Sequence, residues 1–166
     1  MSDIEDVKHK IIGKQIQLGP ALTKLLPMMR GKVADERLFW LVSELQGYQN
    51  AIDFYQQSSH SLPTYRIIPG ALKVVDKQGN LADLNHPWAK KTQFFLGAPI
   101  AWLEDSADVP GLSTMVELPE LTNYAGKNLG TIVCECKRAD LLACIEAFRR
   151  QLISLLTEVG ASSPST

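Results

Sequence analysis

A chain of 166 residues has the length of one domain on the usual scale of ~100–200 residues, and its 45% hydrophobic and 21% charged residues are an ordinary globular mix. Its formal net charge of -1 excludes the strongly basic footprint of a dedicated nucleic-acid binder, although a balanced total can conceal a local basic patch. No apolar run approaches the ~20 residues that cross a bilayer, and the acidic start Met1–Asp6 lacks the basic and apolar regions of a signal peptide, so a cytoplasmic protein is expected.

Ser2 and Glu5 stand at the spacing of a capping box, and Ile4, Val7, Ile11 and Ile12 recur at helical intervals, which predicts a first helix over 3–17. Gly19-Pro20 ends it, with Pro20 suited to the first turn of a second helix carrying Leu22, Leu25, Leu26 and Met29. Pro27 lies inside that pattern and is expected to kink or break it before Gly31. Asp35 is the expected N-cap of a third helix, whose apolar stripe takes in Leu38, Phe39, Leu41, Val42 and Leu45 and which Gly47 closes.

Residues 49–61 turn polar and aperiodic, predicting a surface loop with a short helical turn around Ile52–Tyr55. Strands are predicted at 65–68, 71–75, 92–96, 100–103 and 112–118, with Asp76–Asn80 as a hairpin turn. Six of the nine prolines fall between 63 and 119, so these strands should be short and often at edges. Thr131–Cys136 reads as a further strand. The seam Leu141, Ile145, Phe148, Leu152, Leu155 and Val159 reads as a long helix over 139–159, ended by Gly160, with 161–166 as a disordered tail. One α+β domain over 1–160 follows: N-terminal helices and a long C-terminal helix packed on a small, mostly antiparallel sheet.

Chemical motifs are missing from this pattern. The glycines are scattered at turns and form no phosphate-cradling loop, dinucleotide fingerprint or nucleophile elbow. His9, His60 and His86 have no Cys or His at metal-ligand spacing, and no cofactor or metal is implied. Cys134 and Cys136 are two apart on a strand and share a face, so they are poorly placed to bridge; packing is the expected role of all three thiols, against a Cys–His nucleophile pair using His60 or His86. Glu104, Asp105 and Asp108 read as a solvated acidic loop, and Lys137, Arg138, Arg149 and Arg150 as a small basic cluster; together they are what a nuclease would use. Trp40 is one turn before Glu44 and two before Tyr48, near one helix face, where an aromatic is either core packing or part of a partner-binding patch.

The order of these segments resembles a known family. Leu22-Thr23-Lys24-Leu25-Leu26 is followed by Phe39-Trp40-Leu41-Val42-Ser43-Glu44-Leu45-Gln46-Gly47-Tyr48. Then come Leu62-Pro63-Thr64-Tyr65-Arg66, Pro69-Gly70, and a C-terminal helix with Phe148-Arg149-Arg150-Gln151-Leu152-Ile153. This resembles the AbiTii domain of bacterial abortive-infection systems over residues 20–157, with Gln46 where the family has Asn and a longer stretch between Tyr48 and Leu62. The resemblance implies a component of antiphage defence, and it assigns no catalytic residue. It singles out Trp40, Glu44, Tyr48, Tyr65 and Arg66 as the binding candidates, with Glu44 and Arg66 able to pair as a latch. The expected function is a non-enzymatic interaction module that binds a protein partner or itself. A toxic effector such as a nuclease, and a sensor of a small anion or nucleotide, are the alternatives.

Overall fold

The computed structural model describes residues 3–51, 53–56, 62–125 and 130–162. Ser2 of the expected capping box, Ile52, most of the polar stretch before Leu62, and 163–166 lie outside them. The fold is α+β.

Helix α1 (Asp3–Ile12) buries Ile4, Val7 and Ile11, the face its spacing predicts. It ends five residues earlier than expected, in a turn where Gly13 N–H donates to His9 and Gln15 N–H to Lys10, and where Lys14 takes a positive φ of 55°. Helix α2 (Leu18–Met29) therefore starts before Pro20, whose missing N–H falls harmlessly in the first turn. It also runs on through Pro27, which lies so near the end that Met29 is the last helical residue. Helix α3 (Asp35–Gln46) has Ala34 at its N-cap and Asp35 and Glu36 in its first turn, where their charge suits the helix dipole. Gly47, with φ 97°, supplies the positive-φ stop, its N–H donating to Ser43.

After the one-turn α4 (Asp53–Gln56), Pro63 leads into a 3-10 turn at Thr64–Arg66, so the strand expected from Tyr65 begins only at Ile67. Strand β1 (Ile67–Pro69) pairs antiparallel with β4 (Gln93–Phe95). The larger sheet has the order β3 (Leu81–Asp83), β2 (Ala71–Val75), β6 (Thr131–Lys137), β5 (Ser113–Glu117), all antiparallel. The β2–β3 hairpin closes through Asp76, whose carboxylate accepts from Gln78 and Asn80 N–H, with Gly79 at φ 83°. One face of the sheet supplies the core: Leu72 and Val116 flank Cys134 in register, all three buried.

The expected strand at 100–103 is instead helix α5 (Ile100–Ala107). Ile100, Leu103, Glu104 and Ala107 are its buried residues, at intervals of three and four, and this period over eight residues overrides the β propensity of the first four. Glu104 and Asp105 are thus helical rather than in a loop, and Asp108 is the C-cap. A short α6 (Pro119–Ala125) follows β5, with Pro119 in first position. Helix α7 (Arg138–Ser162) buries Leu141, Cys144, Ile145, Phe148, Leu152, Leu155, Leu156 and Val159 along one seam and packs on α1 and α5. Gly160 does not end it. A Cβ there would lie 2.8 Å from Glu5 Oε1, so the Glu5 side chain of α1 reaches over this glycine.

Gly70, between β1 and β2, is a forced glycine: a Cβ would meet Cys134 Sγ at 2.6 Å and the Glu135 carbonyl oxygen at 2.8 Å. Gly70→Ala is expected to cost about 1–3 kcal/mol through overpacking against a backbone that cannot yield. Urea denaturation checks this as a lowered midpoint at unchanged slope; an unaltered midpoint would show that the approach to β6 is not tight.

Candidate functional site: a buried charge latch beneath an open groove

The five residues singled out by sequence converge. Arg66, on the 3-10 turn, and Glu44, on α3, are both fully buried. Arg66 grips the carboxylate with two prongs, Nε to Oε2 at 2.9 Å and Nη2 to Oε1 at 2.7 Å. Its Nη1 donates to the carbonyls of Leu96 and Ala98, each at 2.6 Å. Glu44 Oε2 also accepts the Tyr48 hydroxyl at 2.6 Å and the Tyr65 hydroxyl. Tyr65 in turn accepts the Trp40 indole N–H at 2.9 Å. The Tyr48 ring lies beside the guanidinium, 4.9 Å from its carbon.

Burial, reinforced by the Glu44 carboxylate, pushes both phenols well above the usual tyrosine range, so both remain donors. Burial alone would lower the Arg66 pKa; the adjoining carboxylate outweighs it and the guanidinium stays charged. Charge, donors and acceptors match, and Glu44 and Arg66 offer no surface to a ligand. Trp40 and Tyr65 are half-buried and pack on Phe148 of α7, at ring separations of 5.4 and 6.4 Å.

What lies on the surface is a groove of about 850 Å³ between α3 and the last turns of α7. Asp35, Glu36, Phe39, Trp40 and Ser43 line it from α3, Gln151, Ser154 and Glu158 from α7, and Tyr48, Leu62 and Pro63 close one end. Phe39, expected in the core-facing stripe, is 66% exposed. It precedes buried Leu41 by two residues, about 200° around the helix, so it points away from the core. That angle was the available sign of the groove's α3 wall; its α7 wall left none, being built from residues more than a hundred positions away.

Several of the remaining candidates are engaged in structure, while Asp105, Asp108, Lys137 and Arg150 are exposed. Glu104 accepts Leu18 N–H at 2.8 Å and Gly19 N–H at 3.1 Å, capping α2 from α5. Burial pushes its carboxyl above the usual range despite the pull of these donors. Arg138 Nε donates to the Ala107 carbonyl, and Arg149 pairs with Glu146. Among the described residues, no three His, Cys, Asp or Glu side chains are grouped to hold a metal ion. His86 Nδ1 accepts Trp88 N–H, and His60 lies outside the described residues. The three cysteines are free and buried, and burial pushes the Cys144 thiol up to about 12. No helix among the described residues is long and apolar enough to cross a membrane. Comparison of the chain with models of known families, with curated proteins and with solved structures finds no match.

Two outcomes test this description. Arg66→Met and Glu44→Leu should each cost about 3–5 kcal/mol, because each strands a buried partner. Their double variant should cost clearly less than the sum, with a coupling above ~1 kcal/mol in a denaturation cycle; strict additivity would mean the two side chains do not interact. Separately, a thiol reagent should label no cysteine in the folded protein and all three after denaturation.

Proposed function

We propose that this chain is a non-enzymatic protein-binding module of a bacterial antiphage system of the abortive-infection type, and that it takes its partner in the groove between α3 and α7. The observation that carries this reading is Phe39, 66% exposed on the wall of a groove whose other apolar residues are Trp40, Tyr48, Leu62 and Pro63. Large aromatics held open to solvent beside a concave surface are the usual anchors of protein interfaces. The resemblance to AbiTii domains supplies the biological setting, and its motif borders the groove through Trp40, Tyr48, Leu62 and Pro63.

The latch supports the same reading. Trp40 is held by Tyr65 and Tyr48 by Glu44, so two groove residues are fixed before any partner arrives. A preformed surface spares the ordering cost of association. Of the acidic and basic residues that an effector enzyme would use, Glu104 is engaged in capping α2 and Arg149 in pairing with Glu146.

The decisive variant is Phe39→Asp. Trp40 and Tyr48 are poor probes, since changing either removes a hydrogen bond of the latch. Phe39→Asp should leave stability within ~0.5 kcal/mol, as exposed substitutions usually do. It should abolish partner co-purification and phage protection when expressed in the native genetic setting. Full protection by a folded Phe39→Asp protein would remove the groove from the function.

A further inference from the structure

We infer that the groove's occupant is an amphipathic α-helix of a partner protein with basic residues flanking its apolar face; this rests on the docking reading above. The walls decide the secondary structure of the guest. Both are helices, α3 presenting positions 35, 39 and 43 and α7 positions 151, 154 and 158, so each shows one face at intervals of three and four. Helical walls keep their backbone hydrogen bonds to themselves. An extended peptide laid between them would find no ladder to join and would leave its own N–H and C=O groups unpaired where it is buried. A helix brings its backbone already satisfied and fits its ridges between those of two neighbours. Asp35 to Ser43 spans about 12 Å along the axis at ~1.5 Å per residue, enough for roughly two turns of a guest helix.

The rim decides the charge. Asp35, Glu36 and Glu158 line the groove against Arg37 alone, three acids against one base, for a net of -2. Arg37 already lies 3.7 Å from Glu158, while Asp35 and Glu36 are exposed at the first turn of α3. An acidic helix or a phosphorylated small molecule would meet repulsion there. Lysines or arginines flanking a leucine-rich stripe would meet complementary charge, with the stripe against Phe39 and Trp40.

The test uses three labelled helical peptides of about three turns. One has a leucine stripe flanked by lysines, one has the same stripe flanked by glutamates, and one has the lysines with the leucines scattered. Binding to the full chain is followed by fluorescence anisotropy at low and high salt and mapped by backbone amide shifts. The first peptide should bind, shift Phe39, Trp40, Gln151 and Ser154, and lose about tenfold in affinity in the Asp35→Lys/Glu36→Lys variant, equivalent to ~1.4 kcal/mol. Equal binding of the glutamate peptide at the groove would overturn the charge assignment and leave the docking reading standing. Absence of groove shifts with every peptide, while Phe39→Asp still loses its partner from cells, would overturn the helical guest alone. If Phe39→Asp also keeps its partner, the docking reading falls with it.

Discussion

Two opposite charges with no access to water set the terms for everything around them. A carboxylate and a guanidinium are each costly to bury, and they are tolerated only when geometry and hydrogen bonding compensate in full. Besides each other, Glu44 and Arg66 meet that demand with four partners drawn from three separate segments: Tyr48 just after α3, Tyr65 on the 3-10 turn, and the carbonyls of Leu96 and Ala98 after β4. None of these segments can shift without exposing an unpaired group, so the latch locks the N-terminal helices to the small β1–β4 sheet. It also fixes Phe148 from above through Trp40 and Tyr65, which ties α7 into the same unit.

The division between the buried latch and the open groove runs through single residues here. Glu44 and Arg66 are wholly internal, Phe39 is mostly exposed, and Trp40 turns its indole N–H inward while its ring borders the groove. A motif legible in sequence thus builds both the buried latch and part of the groove above it.

Periodicity made the long elements readable: α1, α3 and α7, and strand β6, are where their apolar spacing puts them. Short elements were harder. Ile100–Leu103 is apolar in a row, and only the fourth-residue repeat at Glu104 and Ala107 distinguishes a helix from a strand. Gly160 looks like a stop, because sequence cannot show that α1 lies against it. The Glu44–Arg66 contact was within reach, since two buried opposite charges near one turn invite pairing. Its completion by Leu96 and Ala98 was not, because backbone acceptors leave no mark in the side chains. The groove was beyond reach for a related reason: its two walls are far apart in the chain and meet only in the fold.

Strand β6 has a consequence for how the chain comes into being. Neither β2 nor β5 pairs with the other; each hydrogen-bonds to β6, which is made after both. During synthesis at ~5–20 residues per second, the edges of β2 and β5 stay unpaired for seconds until β6 and α7 emerge to fill the gap. The nascent protein therefore completes its larger sheet only once nearly all of the chain is available. Loss of the final two elements would remove the centre of that sheet rather than trim its margin.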